Sequence, residues 1–289
     1  MEFHSLVHTD ITHIHTAFID AFSEYEVPME LPIERLQAMM QVRSYDPALS
    51  LGCFVDTQLV GFVLVGARRD ADGILRTYDV ATGVVRAYQN QKIGSQLLTH
   101  LLPMLTNAGA ASFQLEVLEH NVAAQKLYHN HGFGITRTLR CYRTSAIPTP
   151  VALADGSWGT DGAVMKDVDE TLYSSFAPSW QQAMASYRTT AATCHVVTWH
   201  VATHLGAYGI IERNSAAIMQ LGVHPTQRTP AMLTALIAAL AQQVDATQLR
   251  MVNVEAASWI DQQLQALGWE NFINQYEMKI QLTSQPALA

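Results

Sequence analysis

The stretch Thr82-Gly83-Val84-Val85-Arg86-Ala87-Tyr88-Gln89-Asn90-Gln91-Lys92-Ile93-Gly94-Ser95-Gln96-Leu97-Leu98 constrains this chain most. It opens as a short apolar strand, passes through an amide-rich loop closed by Lys92 and Gly94, and enters an apolar helix. Leu97, Leu98, Leu101 and Leu102 recur there at helical spacing. A strand, a tight loop and a helix N-terminus together make an anion-binding arrangement. The first N–H groups of a helix have no partner within it, and the helix dipole favours negative charge there. Gly94 has no side chain to hold an anion away from the backbone.

A second run is more specific: Leu115-Glu116-Val117-Leu118-Glu119-His120-Asn121-Val122-Ala123-Ala124-Gln125-Lys126-Leu127-Tyr128-His129-Asn130-His131-Gly132-Phe133. Asn121 is placed to cap a short helix with its side-chain oxygen. Tyr128 follows seven residues later, two turns on and on the same face.

The two runs together resemble the GNAT acyltransferases, the acetyl-CoA-dependent N-acetyltransferases. The second run matches the pattern L-E-V-x-x-x-N-x-x-A-x-x-L-Y-x-x-x-G-F at every named position. The first resembles Arg/Gln-x-x-Gly-x-Gly/Ala, with Gln89 in the first position and Gly94 in the last. Lys92 stands where the family has its first glycine. Its side chain either crowds the bound pyrophosphate or supplies the cation that Gln89 does not.

The resemblance implies acetyl-CoA as acyl donor, with no metal. It implies a site formed by Val84, Val85, Arg86, Gln89, Asn90, Gln91, Lys92, Ile93, Gly94, Ser95 and Asn121. Tyr128 would protonate the leaving thiolate; reference pKa values of about 10 for a phenol and about 8.5 for a thiol make that a reasonable transfer. The amine would attack the thioester directly, in a gap between the strand ending at Val85 and the strand Leu115–Leu118. A free N–H near Val84 or Val85 would polarise the carbonyl. Asp79, Glu116 and Glu119 are the carboxylates nearest in sequence for taking up the amine proton. The acidic connection holding Tyr25 and Glu26 borders the acceptor pocket in the family, which suits a primary amine, as a small molecule or on a peptide.

Along the chain, the expected elements are a strand from Glu2, a helix capped by Thr9 or Asp10, and a helix from Ile33 to about Arg43. A strand pair about the turn Asp56-Thr57-Gln58 and a long strand Ile74–Val85 lead to the loop. The loop helix should stop near Gly109 and the short helix at Gly132, before a last strand over Gly134–Thr144. Residues 147–162, rich in Pro, Gly, Ser and Thr, suggest a linker.

The second half repeats the first. Gly222-Val223 aligns with Gly83-Val84 at an offset of 139, and Gly268-Trp269 with Gly132-Phe133 at 136. Arg228 keeps the first position of the loop pattern. Ala231 and Leu233 replace its glycines, and Pro230 removes an N–H. Ala257 and Leu264 stand for Asn121 and Tyr128.

The expectation is therefore an α/β (α+β) protein of two tandem GNAT-like domains, each a mixed, mostly antiparallel sheet flanked by helices. Residues 1–146 form the catalytic copy, 147–162 the linker and 163–289 a degenerate copy packed as an intramolecular pseudo-dimer; a homodimer of such chains remains open. The rival is a non-catalytic acyl-CoA-binding or regulatory protein.

Charge excludes more than it identifies. Residues 1–150 carry 11 basic and 14 acidic groups, and the remainder 6 and 11. Neither half is basic, which argues against nucleic acid as a partner. The longest apolar run, near Ala231–Ala241, is too short for a bilayer, which needs about 20 residues. The N-terminus has no secretory pattern, and Cys53, Cys141 and Cys194 form no CxxC pair; both fit a cytoplasmic protein with free thiols. The close histidine pairs, His13/His15, His129/His131 and His200/His204, lack the spacing of a metal clamp.

Overall fold

The computed structural model describes residues 1–24, 31–154 and 156–282. The chain divides into two compact units: residues 1–136 with the C-terminal segment from Glu277, and residues 137–276.

Unit 1 runs β1 (Glu2–Ser5), α1 (Ile11–Ala21), α2 (Ile33–Val42), β2 (Leu51–Val55), β3 (Gln58–Arg69), β4 (Leu75–Val84), α3 (Ile93–Asn107), β5 (Ala110–Leu118) and α4 (Val122–Asn130). Strands β1 to β4 pair antiparallel in order, and β4 pairs parallel with β5. Asp10 caps α1 through Thr12 N–H at 2.8 Å. Positive φ at Gly109 and Gly132 ends α3 and α4, at the two positions where a left-handed residue is needed. Residues 59–66 of β3 are buried without alternation, because helices cover both faces of the sheet. Gly61 faces Ile93 and Leu97 of α3, while Gly83 faces Ala21 of α1.

The strand over residues 134–144, β6 (Gly134–Thr144), forms as expected but leaves the first half. Its residues from 137 belong to unit 2, where Leu139–Thr144 pair antiparallel with β11 (Leu249–Glu255). The chain returns the strand at its end. β12 (Glu270–Gln281) starts in unit 2 and finishes in unit 1, where Leu282 N–H donates to Ala111 O and Thr136 Oγ1 to Glu277 Oε1.

Unit 2 otherwise repeats unit 1: β7 (Ser157–Gly159), α5 (Glu170–Tyr173), α6 (Met184–Thr190), β8 (Cys194–Val201), β9 (His204–Glu212), β10 (Ala217–Val223), α7 (Pro230–Ala241), β11, and α8 (Trp259–Ala266). β7 to β10 pair antiparallel in order and β10 pairs parallel with β11. Gly268 takes a positive φ as Gly132 does. Part of the expected linker is the edge strand β7, held on β8 with Trp158 against Trp199. The three cysteines are free and buried.

The repeat extends to an irregularity. In unit 1 the register steps from Leu64↔Ala81 to Val65↔Asp79, leaving Val80 as an extra residue in β4. In unit 2 it steps from Ile211↔Ile218 to Ile210↔Gln220, leaving Met219 extra in β10.

Asp261, in the first turn of α8, anchors β6 within unit 2. Its side chain is 1% exposed and accepts Tyr142 Oη at 2.5 Å, Arg140 Nη1 at 3.1 Å and Ala257 N–H at 2.8 Å. Removing one member of such a buried group strands the others. Asp261→Ala should cost unit 2 about 3–5 kcal/mol. Tryptophan fluorescence during urea unfolding measures this selectively, because all five tryptophans lie in unit 2. An unchanged midpoint would show that the ladder alone holds the strand.

Candidate active site

The site in unit 1 begins where β4 and β5 part. Their parallel pairing runs from Leu75↔Ala110 to Tyr78↔Gln114 and then stops. The ends of the two strands leave a slot between them. On the other edge of β4, Val85 N–H donates to Val60 O at 2.9 Å. The expected free N–H is therefore not that of Val85. Alternation in an antiparallel ladder turns the Val84 N–H the opposite way, toward the slot.

The loop after β4 follows from its backbone. Asn90 and Lys92 both have φ of 61°. Lys92 is the N-cap residue of α3 and caps nothing with its side chain. The glycine of the family pattern therefore falls at a left-handed position, which a lysine occupies at a cost of about 1 kcal/mol or more. The first helical bond is Gln96 N–H to Lys92 O at 3.0 Å, so the N–H groups of Ile93, Gly94 and Ser95 have no partner within the helix. A side chain at Gly94 would press on Leu127 of α4, so Gly94 keeps the two helices close as well as the loop open. Not every expected loop residue faces this terminus. Arg86 Nη1 is paired with Glu24 at 3.2 Å and its N–H with Asp20 at 2.6 Å, both toward α1. Gln89 Nε2 lies on Val84 O at 3.3 Å and Gln91 Nε2 on Ala87 O at 3.4 Å.

Asn121 caps α4 as its sequence position demands, accepting Ala124 N–H at 3.1 Å. That helix carries Tyr128 into the protein, where the ring meets Phe133 edge-on and the phenol donates to Asp79 Oδ2 at 3.0 Å. Thr82 Oγ1 donates to the same oxygen at 2.6 Å. Residues three apart on a regular strand point to opposite faces; the extra residue Val80 brings Thr82 and Asp79 to one face. Thr82 could not have been placed there from sequence, because a bulge has no signature in these residues.

Tyr78 and Glu116 lie on the opposite face, with Tyr78 Oη donating to Glu116 Oε2. Gly66, paired with Tyr78, abuts Arg43 at the end of α2, and Arg43 Nη1 donates to Val80 O at 2.8 Å. The slot is thus flanked by two carboxyl–phenol pairs, one on each face of the sheet. Glu119 lies beyond β5, at the turn into α4. Tyr25 and Glu26 lie outside the described residues. Among the described residues no group of three His, Cys, Asp or Glu side chains could hold a metal ion. No described helix is long and apolar enough to cross a membrane.

In unit 2 the same places are filled. β10 and β11 pair only at Ala217↔Arg250 and Ile218↔Met251. The segment between α5 and α6 bridges the parted ends. Gln182 O accepts from Gln220 Nε2 on β10, Gln182 Nε2 donates to Val252 O on β11, and Ser179 Oγ accepts from Asn253 Nδ2 at 3.2 Å. At the N-terminus of α7, Thr229 Oγ1 takes Met232 N–H at 3.1 Å, and Leu233 is fully buried. The Arg228 guanidinium is spent on the carbonyls of Val223, Tyr173 and Ser174.

Asp79 is the strained group of unit 1. Burial pushes its carboxyl up from 3.8 to about 6, against the Thr82 and Tyr128 hydrogen bonds and the charge of Arg43, and Oδ1 has no partner among the described residues. The folded protein holds this proton more tightly than the unfolded chain does. Asp79 therefore costs no stability below about pH 4, and its full cost is present above about pH 6. Asp79→Asn should stabilise unit 1 at pH 7 by up to about 3 kcal/mol, with the gain vanishing toward pH 4. Scanning calorimetry across that range checks it; a destabilised Asn variant at pH 7 would contradict the assignment.

Residues 12–133 match the acetyltransferase (GNAT) family. Three of the solved structures that match nearly the whole chain illustrate the likeness. A tandem GNAT protein from the clavulanic acid biosynthesis pathway superposes at a TM-score of 0.70 with 15% identity, over 99% of each chain. A GCN5-related N-acetyltransferase from Sphaerobacter thermophilus gives 0.71 at 11% identity, over 99% of this chain and 96% of that one. A putative acetyltransferase from Pyrococcus horikoshii gives 0.69 at 12% identity, over 99% and 91%. No curated protein matches the chain by sequence. The motif runs, the parted strands and these likenesses agree: residues 12–133 form an acetyltransferase domain of the GNAT family, and the chain as a whole has the fold of tandem GNAT proteins.

Proposed function

We propose that this is an acetyl-CoA-dependent N-acetyltransferase whose first domain, residues 1–146, is catalytic and whose second, residues 163–289, is not. The observation that carries the reading is Tyr128, a buried phenol brought to the slot by a helix that Asn121 caps. The acyl donor would lie between β4 and β5 with its pyrophosphate at the N-terminus of α3. The N–H groups of Ile93, Gly94 and Ser95 and the charge of Lys92 would face the pyrophosphate. The Val84 N–H would polarise the thioester carbonyl. A primary amine, free or on a peptide, would enter from the face of α1 and α2. Glu116, oriented by Tyr78, stands on that face to take the amine's proton, and Tyr128 on the other to protonate the thiolate. Loop and slot are both occupied by the chain itself in unit 2, which supports a non-catalytic second domain. A cytoplasmic location fits the buried free thiols.

Lys92 in a left-handed conformation favours a second reading, an acyl-CoA-binding protein without turnover. Calorimetric titration with acetyl-CoA, followed by a screen of amine acceptors, decides between them. One site per chain near micromolar affinity, about 8 kcal/mol, is expected. Two sites would overturn the assignment of unit 2, and turnover with no amine would leave the binding protein. In the same titration Lys92→Gly should weaken binding several-fold through loss of charge, by about 1 kcal/mol; tighter binding would show the lysine to be an obstruction.

Tyr128→Phe should slow the chemical step by roughly 10²-fold or more while leaving acetyl-CoA affinity nearly unchanged. Single-turnover kinetics separate the two, and an unchanged rate would remove Tyr128 from the mechanism.

A further inference from the structure

The Tyr128 phenol has one proton, and in this structure that proton is committed to Asp79. A phenol bonded in this way is held in place but is not aimed at a sulfur in the slot. We propose that Asp79 is a positioning residue that gates Tyr128: ionised, it retains the phenol's proton; protonated, it releases the phenol to the slot and can replace the proton the phenol gives away. The proposal rests on the reading of Tyr128 as the acid of the proposed reaction.

Three observations carry it. The Val80 bulge sets Asp79 and Thr82 on one face, so two hydroxyl donors converge on Asp79 Oδ2. Both Asp79 and Tyr128 are at most 7% exposed, so water does not compete for that bond. A phenolate formed 3.0 Å from a carboxylate would place two like charges together at low dielectric, which strongly disfavours proton release while Asp79 is ionised.

With Asp79 protonated the step balances. The Tyr128 Oη–H bond breaks as the S–H bond of coenzyme A forms. The Asp79 carboxyl O–H bond then breaks as Tyr128 Oη–H is restored. Asp79 is left ionised and regains a proton from solvent before the next cycle.

The surroundings place this exchange in an accessible range. Thr82 and Tyr128 face Asp79 on its own side of β4. Arg43, and Tyr78 with Glu116, act from the other side. Arg43 and the two hydroxyl bonds favour the ionised form, burial opposes it, and burial prevails, leaving the carboxyl at about 6.

Two probes that differ only at sulfur isolate the gate. Coenzyme A and desulfo-coenzyme A are titrated by calorimetry into the full-length protein near pH 5 and near pH 7, where the thiol itself stays neutral. Titration of groups away from the sulfur affects both probes alike and cancels in their affinity ratio. A Tyr128 hydrogen bond to sulfur, available only when Asp79 is neutral, should raise the preference for coenzyme A by about three-fold or more at the lower pH. In Asp79→Asn, which keeps the geometry without the charge, the ratio should be the same at both pH values. An equal ratio at both pH values in the wild type, or a pH dependence that survives Asp79→Asn, overturns the gate and leaves the acetyltransferase reading intact. A pH-dependent ratio that survives Tyr128→Phe removes Tyr128 as the group meeting the sulfur, and binding of neither probe removes the reading itself; the gate falls with either.

Discussion

A parallel pair of strands that stops pairing part-way creates a debt of backbone hydrogen bonds. Buried N–H and C=O groups must find partners, and the parted ends of β4 and β5 face each other across a slot that neither strand can satisfy. The bulge at Val80 sharpens the constraint, because it turns the following residues and commits Asp79 and Thr82 to one face. Both units carry the bulge and the parting, and they resolve the constraint differently. In unit 2 the chain fills the gap with Gln182 and Ser179, whose amide, carbonyl and hydroxyl reach both strands. Unit 1 keeps carboxyl–phenol pairs on either face of its slot instead. On the proposed reading its remaining partners arrive with the ligand.

The same contrast recurs at the two helix N-termini. In α3 the left-handed Lys92 contributes no side-chain cap, and among the described residues no other side chain caps the first turn. In α7, Thr229 takes the Met232 N–H and Pro230 has none to offer. One helix end retains the features of an anion site. The other has converted the same features into ordinary helix capping. On the proposed reading, the substitutions that erase a site are thus the ones that make the local structure self-sufficient.

Much of unit 1 could be read from residues alone, for local reasons. The ends of α3 and α4 were marked by Gly109 and Gly132, and both glycines take the left-handed conformation that stops a helix. Asn121 was legible as a cap because the cap is made within four residues. What could not be read is non-local. A one-residue register step gives no periodicity signal, so the Asp79–Thr82–Tyr128 cluster was hidden although two of its members were singled out. The bridging role of Gln182 depends on residues 38 and 70 positions away. β7 was concealed because three residues, Ser157–Gly159, are too few to show alternation amid Pro and Gly.

The exchanged strands were also invisible to pattern, and they show what the second half contributes to the fold. β6 follows the first half's helix α4 in sequence, yet from residue 137 it packs on β11 and is fastened there by Asp261. The chain segment from Glu277 follows the second half's helix α8, yet it completes the first unit beside β5. A cut at residues 147–162 would therefore leave each half without the strand that closes its own sheet, exposing an unpaired edge in both. On the proposed reading, the second copy can lack the glycines, the capping asparagine and the tyrosine without harm to unit 1, provided that it still delivers that strand. The physical requirement on it would then be to hold a register rather than to bind a ligand, and a filled slot and a capped helix meet that requirement better than open ones.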